Sequence, residues 1–439
     1  MVGQSIAILF GSFFVLMFAG VPISVGIGIA SIITGCFYIP FDIFSIIAAQ
    51  RCFSGIDSFS LLALPYFMMG GNIMNKGGIA KRLVRLARLV VGRVPGYLAA
   101  TNVLANMFFG AISGSSVAAT SAMGSIMSPL EAEEGYDPNY SAAVNICSAP
   151  TGILIPPSGP LILYSITAGG VSVAALFMGG YFTGALLGIS VLAVCILLAK
   201  KKGYTASQVK ETESAGKVLI DSIPSLLAVI IVMAGILAGW FTATEAGVVC
   251  ILYCTVLAIC YRELTFKDFY NILADTMVSS STILFLISAS TIMSYVMSFT
   301  GIPAAISNAI MSVSDNRYVI LLIMNVFLLV MGMFLDLTPA VLIFTPIFLP
   351  IAESIGMDPV HFGLMLIMNL GIGSVTPPVG SCLFVGCGIA KVKIEGVTPY
   401  IVKMFLAMVV ALFLVTFIPA IPMIIPYLCG LTETFWWVK

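Results

Sequence analysis

Runs of about 20 apolar residues recur along nearly the whole of this chain, and that recurrence limits its fold more than any single motif. A run of that length spans the hydrocarbon of a bilayer as a helix. Of the 439 residues, 60% are hydrophobic and 9% charged, and the mean hydropathy is +1.12. A soluble protein of this size could not hide so much apolar surface, so the chain reads as an all-α polytopic membrane protein. The apolar segments fall near 5–19, 22–40, 55–75, 97–130, 141–167, 172–199, 223–240, 243–261, 277–299, 320–350, 360–387 and 400–425. No basic segment precedes the first run and no small-residue cleavage site follows it, so the first helix is expected to be retained.

Paired prolines are unwelcome inside such runs, yet GILIPPSG occupies Gly152 to Gly159 and GSVTPPVG occupies Gly373 to Gly380. The step from Gly152 to Gly373 is 221 residues, and the same step relates Pro129, Gly135, Asp137 and Pro138 to Pro350, Gly356, Asp358 and Pro359. Two independent motifs at one offset imply an internal duplication. Further upstream, a gap of one residue aligns Gly110 with Gly332. The expected repeats are 1–210 and 211–439. Each holds a re-entrant hairpin (about 97–130 and 320–350) and a broken helix (about 141–167 and 360–387).

If the hairpins enter and leave on one side, each repeat crosses five times, and the odd number inverts the second repeat relative to the first. Sixteen of the 19 basic residues then fall on one side, leaving Arg51, Arg317 and Lys439 on the other. Positive charge marks the cytoplasmic side, so both termini are expected in the periplasm. The segment Asn75 to Gly96 spaces Arg82, Arg85 and Arg88 helically among leucines and valines. It reads either as a membrane-surface anchor or as a rigid arm bracing a moving domain.

Irregular backbone survives in a membrane only inside protein or around a cavity. Pro156-Pro157 and Pro377-Pro378 each remove donors and free carbonyls upstream. Such oxygens suit a small cation, while the amino end of a half-helix attracts an anion. The prolines therefore read as ion-site builders or as simple kinks, and their duplication at one offset favours sites. The first hairpin contains GAISGSSVAATSAMGS, in which Gly114-Ser115-Ser116 suits an unwound tip, while Ser121 and Ser125 fit close helix packing. Among the acids, Asp336 lies beside Thr338-Pro339 at the second tip and is the leading carboxylate. Glu245 and Asp57 read equally as helix caps, and His361 as an interfacial residue. The ten cysteines are scattered, and Cys250 and Cys254 share a helix face without further ligands, so they read as buried free thiols. The balanced charge of 19 basic and 19 acidic residues gives no reason to expect nucleic acid.

The stretches FAGVPISVGIGIAS, SFSLLALPYFMMGGNIM, GAISGSSVAATSAMG, APTGILIPPSG, GWFTATEAG, GMFLDLTPAVLIFTPIFLP and GIGSVTPPVG together resemble the large membrane subunit of tripartite ATP-independent periplasmic (TRAP) transporters, elevator-type carriers of the ion-transporter superfamily. The resemblance covers nearly the whole chain. It implies a scaffold with arm helices, a mobile transport domain, and sodium-coupled uptake of an organic acid such as a C4-dicarboxylate or sialic acid across the bacterial inner membrane. It also implies two Na+ ions and two partners: a small four-helix membrane subunit on a separate chain and a periplasmic substrate-binding protein. Carried over by motif, one sodium site uses Ser113, Gly114, Ser115 and Ser116 with the break from Gly152 to Pro156. The other uses Asp336 and Thr338 with Gly373, Ser374, Val375 and Thr376. Asn145, Ser148, Asn369 and Ser381 are the expected substrate contacts.

Two rival readings need different features. An intramembrane hydrolase would take Ser113 or Ser115 as nucleophile and His361 as base, but the sole histidine belongs to the other repeat. An ion channel would not need paired half-sites and would carry a ring of charge.

Overall fold

A computed structural model describes residues 2–205, 215–377 and 379–437, with helix the only regular structure among them. Pro378 and Lys439, which figure in the sequence reading above, lie outside these residues, as do 206–214 of the loop between the two repeats. The first part of the chain forms α1 (Val2–Phe18), α2 (Ile23–Cys36), α3 (Phe41–Ile56), α4 (Ala63–Lys76), α5 (Ile79–Val91), α6 (Tyr97–Ser113), α7 (Ser116–Glu133), α8 (Pro138–Gly152), α9 (Gly159–Thr167) and α10 (Val173–Lys201). The second forms α11 (Ala215–Leu237), α12 (Ala243–Cys260), α13 (Phe266–Thr300), α14 (Ile302–Val313), α15 (Arg317–Phe334), α16 (Leu337–Ser354), α17 (Pro359–Gly373), α18 (Ser381–Ala390), α19 (Ile394–Phe417) and α20 (Ala420–Leu428). Among the described residues, seven helices are long and apolar enough to cross a membrane, and the pair α3 and α4, bent by 59° at residues 57 and 58, would make an eighth. The chain is a multi-pass membrane protein.

The two halves repeat one order of elements. A long helix (α4 or α13) turns through a left-handed glycine, Gly78 (φ 74°) or Gly301 (φ 72°), into a short arm helix (α5 or α14). A helical hairpin follows (α6–α7 or α15–α16), then a helix broken at prolines (α8/α9 or α17/α18), then an unbroken apolar helix (α10 or α19). The duplicated motif has a direct structural meaning. Gly135 (φ 73°) and Gly356 (φ 82°) end the second hairpin arm in the left-handed conformation that favours glycine. Asp137 and Asp358 then cap the next helix through Asn139 N (2.9 Å) and Val360 N (2.7 Å), with Pro138 and Pro359 at the first helical position, where no amide donor is needed.

The broken helices form the centre. Every residue from Tyr140 to Gly152 and from Val360 to Gly373 is buried, as expected for helices enclosed on all faces. Small residues let the hairpins come close to them. A Cβ on Gly152 would stand 2.5 Å from Gly110 Cα, and one on Gly373 would stand 2.6 Å from Gly332 Cα. Gly110 and Gly332, which a gap of one residue aligns, each cross the glycine of the neighbouring helix break.

Arm helix α5 is braced at its basic face. Arg82 donates to Glu263 Oε1 at 3.1 Å and lies 3.5 Å over the Tyr261 ring, and Ser222 donates to the Arg82 carbonyl at 3.2 Å. Arg88 reaches the Tyr97 hydroxyl at the start of the first hairpin at 3.4 Å. These bonds tie the arm to α11, to the turn between α12 and α13, and to the first hairpin. Further polar contacts tie other basic turns together at one end of the molecule: Lys76 with Asp275 (3.5 Å), Lys202 with Asp137 (2.7 Å) and Tyr400 with Asp137 (2.8 Å).

Candidate functional site

Four helices begin at one cavity of about 490 Å³: α7 after Ser115, α9 at Gly159, α16 after Asp336 and α18 at Ser381. Both hairpin tips and both helix breaks therefore meet at a single place. Its polar lining includes Ser113, Ser115, Ser116, Thr338, Ser374 and Ser381, with Gly114 at the first tip. Asp336 is the only charged residue among the described lining residues, and none is basic. Leu64, Phe67 and Met68 of α4 and Val278 and Ile283 of α13 supply an apolar wall.

The two tips differ chemically. At the first, Gly114 ends α6 in the left-handed conformation (φ 62°), and Ser115 caps α7 by accepting from Ala118 N at 3.3 Å. At the second, Asp336 holds the capping position of α16, but its side chain makes no capping hydrogen bond. Its carboxylate is exposed to the cavity. By contrast, Glu245 completes a capping box with Thr242, whose amide donates to Glu245 Oε2 at 2.8 Å, so capping accounts for that acid. Asp57 follows the last residue of α3.

The breaks re-bond much of what their prolines free. The Gly152 carbonyl accepts from Ile155 N at 3.0 Å, and the Ile153 carbonyl accepts from the Ser158 hydroxyl. In the second repeat the Gly373 carbonyl accepts from Thr376 N at 3.0 Å and the Ser374 carbonyl from Cys382 N at 3.1 Å. A carbonyl has two lone pairs, so one per oxygen stays open to a cation. Thr376 donates to Ile372 O at 2.9 Å and the Val375 side chain is fully buried, which leaves their backbone as the part able to serve a site.

Eight of the sixteen residues singled out from the sequence line the cavity: Ser113 to Ser116, Asp336, Thr338, Ser374 and Ser381. Gly152, Pro156, Gly373, Val375 and Thr376 stand behind it in the breaks. Asn145 and Ser148 lie deeper, where Asn106 Nδ2 is 3.0 Å from Asn145 Oδ1 and 2.8 Å from Ser148 Oγ. Asn369 donates to Asn325 Oδ1 at 2.7 Å in the matching place of the second repeat. His361 does not line the cavity. Contrary to the interfacial expectation it is buried, with its ring nitrogen 2.8 Å from the Val415 carbonyl, because the start of α17 is covered by α19 and Trp437. The sequence reading missed Ser279 and Thr282 of α13, which also face the cavity. The run SSST, Ser279 to Thr282, in an otherwise apolar helix was the available signal.

A helical membrane protein whose broken helices and hairpin tips meet at a cavity with hydroxyls and a carboxylate on one side and an apolar wall on the other has the architecture of a membrane transporter. Comparison with known proteins agrees. Residues 10–421 match the family model described as tripartite ATP-independent periplasmic transporter, DctM component. The uncharacterised protein YgiK of Salmonella typhimurium is 47% identical over 96% of this chain and 97% of its own length. The C4-dicarboxylate TRAP transporter large permease protein DctM of Rhodobacter capsulatus is 33% identical over 98% of this chain and all of its own. The crystal structure of the Alcanivorax borkumensis YdaH transporter superposes with a TM-score of 0.61 at 13% identity, covering 84% of this chain and 86% of that one, and so shares the fold. The chain belongs to the DctM component family of TRAP transporters.

Proposed function

We propose that this chain is the large permease of a sodium-driven system that takes up an organic acid anion, such as a C4-dicarboxylate or a sialic acid, across the bacterial inner membrane. The observation that carries the reading is the meeting of four helix amino ends at a cavity whose polar side holds hydroxyls and one carboxylate, with no lysine or arginine among the described lining residues. Helix amino ends attract an anion. The anion still lacks a compensating full charge, and co-transported sodium supplies it. One sodium ion would be held by Ser113, Gly114, Ser115 and Ser116 with the Gly152–Pro156 break. The second would be held by Asp336 and Thr338 with the backbone of Gly373 to Thr376. The donor chemistry fits, since these are hard oxygen ligands and the Asp336 carboxylate is not used for capping. Ser374 and Ser381 stand nearest the substrate, and Asn145, Ser148 and Asn369 support the breaks behind them.

Hairpins and broken helices would move together as the transport domain of an elevator, against a scaffold that includes α4, α13 and the arms α5 and α14. The charge bias supports a periplasmic position for both termini. A small four-helix membrane subunit would lie against the scaffold, and a periplasmic binding protein would deliver the substrate. The test is accumulation of a labelled organic acid in proteoliposomes holding this chain, the small subunit and the loaded binding protein. An inward sodium gradient should drive accumulation above the external concentration. Equal uptake with potassium in place of sodium would refute the coupling. Hydrolysis of a substrate without accumulation would restore the enzyme reading.

A further inference from the structure

The base of the first hairpin holds a carboxyl group for which the transport reading has no use. Glu131, near the end of α7, is 1% exposed. Its Oε1 accepts from Asn102 Nδ2 of α6 at 3.2 Å, while its Oε2 is buried with no partner. The Ser141 hydroxyl on α8 is set beside the carboxyl and is likewise buried without a closed bond. An ionised carboxylate here would be a desolvated charge with one neutral donor, a state that costs several kcal/mol unless a cation or a proton joins it.

Asn102 and Ser141 are the side chains that act directly on the carboxyl, while Lys81, Arg85 and Arg88 of α5 stand nearby across a pocket lined by Ile126, Met127 and Leu130 of α7. Tyr136 in the connection to α8, Tyr140 on α8 and Cys195 on α10 also stand close enough to feel Glu131, and a phenol or a thiol brings no positive charge. Lys202 is committed to Asp137 at 2.7 Å, and Glu134 accepts from the Tyr97 hydroxyl.

Glu131 also ends a continuous polar chain. Asn102 Oδ1 accepts from Asn106 Nδ2 at 2.8 Å, and Asn106 meets Asn145 Oδ1 at 3.0 Å. Asn145 donates to the Thr120 carbonyl at 2.8 Å, and Thr120 donates to the carbonyl of Ser116, which lines the cavity, at 2.8 Å. The chain stitches both hairpin arms to the broken helix α8.

We propose that Glu131 is a proton-binding site. The carboxyl is held neutral with its proton on Oε2, directed at the Ser141 hydroxyl, and the neutral acid closes the end of a hydrogen-bonded chain that fixes the first hairpin beside the cavity. Loss of the proton leaves an unpaired buried charge, which draws in water and loosens the hairpin base. Uptake is therefore inhibited as the pH becomes alkaline. The sign follows from linkage. The native state keeps a proton that the unfolded chain gives up in the ordinary carboxylate range, so stability is greatest at acid pH. It falls as pH rises until the native carboxyl itself ionises, and then levels off.

The test compares the whole chain with Glu131→Gln, whose amide reproduces a neutral acid: its oxygen accepts from Asn102 and its nitrogen donates to Ser141. Thermal unfolding of the purified proteins from about pH 5 to about pH 9 needs no transport activity, so its outcome is independent of the proposed uptake. The wild type should lose stability across that range and the glutamine variant should hold it, with uptake by the variant persisting at alkaline pH where the wild type fails. Infrared difference spectra should show a protonated-carboxyl band in the wild type that the variant lacks, a readout that stands even if the variant folds poorly. Identical pH profiles for the two proteins would overturn the proposal. So would absence of the protonated band at neutral pH, or stabilisation of the wild type by sodium that is lost in Glu131→Gln, which would make the occupant a metal cation.

Discussion

Adding one methyl group at Gly373 should damage ion coupling more than folding. The Cβ of an alanine there would stand 2.6 Å from the carbonyl carbon and Cα of Gly332. Ordinary contact needs about 3.5 Å, so the hairpin arm α15 and the broken helix must separate by roughly 0.9 Å. Both elements are buried at this crossing, and forced separation of packed elements costs about 1–3 kcal/mol. The displaced backbone also carries the carbonyls of Gly373 to Thr376, and coordination distances tolerate only about 0.2 Å. A Gly373→Ala protein should therefore still insert and fold with its melting temperature lowered by several degrees, while the sodium concentration for half-maximal uptake rises at least about tenfold. Two controls grade the argument. At Gly332 the added carbon would meet Gly373 Cα at 3.1 Å, a milder clash, and at Gly388 nothing lies within 4 Å. Gly388→Ala should be neutral or slightly stabilising, since alanine is the better helix former by about 0.5–1 kcal/mol. Melting curves and sodium titrations on the three variants decide the matter. If Gly373→Ala behaves like Gly388→Ala in both assays, the crossing does not set the geometry of the break.

The remaining tests address charge and orientation. Asp336→Asn should leave melting unchanged, because the carboxylate makes no capping bond to lose, while raising the sodium requirement by roughly 5- to 150-fold, about 1–3 kcal/mol. An unaltered sodium titration would remove Asp336 from the site. In a cysteine-depleted chain, a single cysteine in place of Lys201 should react with an impermeant reagent only from the cytoplasmic side, and one in place of Asn316 only from the periplasmic side. The reverse pattern would invert the topology drawn from the charge bias.

Much of this architecture was legible because lipid allows few alternatives. Duplicated Gly-x-Asp-Pro signals can be read as the left-handed turn, cap and first helical residue that they prove to be, since each residue type answers a local backbone need. The hairpin tips were legible for the same reason: Gly114, Ser115 and Asp336 interrupt apolar runs where only an unwound turn suits them. What resisted reading depends on contacts between elements distant in sequence. Asn102 and Asn106 look like isolated polar residues in α6, and only the fold brings them against Glu131, Asn145 and Ser148. Ser279 and Thr282 reach the cavity from α13, which packs against α4 and α16, a geometry that no spacing encodes.

The two halves of the site also differ, and the difference bears on how the proposed function would carry an anion where no described lining residue is basic. At the first tip a neutral serine caps its helix, and its oxygen is partly committed to Ala118 N. At the second the equivalent position holds a carboxylate whose oxygens are left to the cavity. Opposite unit charges at contact attract far more strongly in a partly dehydrated site than an ion and a hydroxyl dipole do. Under the proposed function, a cation at the second tip would therefore be held by full charge, and one at the first by hydroxyls and backbone alone. A substrate anion between the tips repels Asp336 unless the second site is already filled. It gains from both the helix amino ends and the bound cation once that site is filled. Under the proposed function, this electrostatic order would make cation binding at Asp336 the step that prepares the cavity for the anion, with the weaker site at the first tip filling afterwards, when the anion itself would add to its attraction.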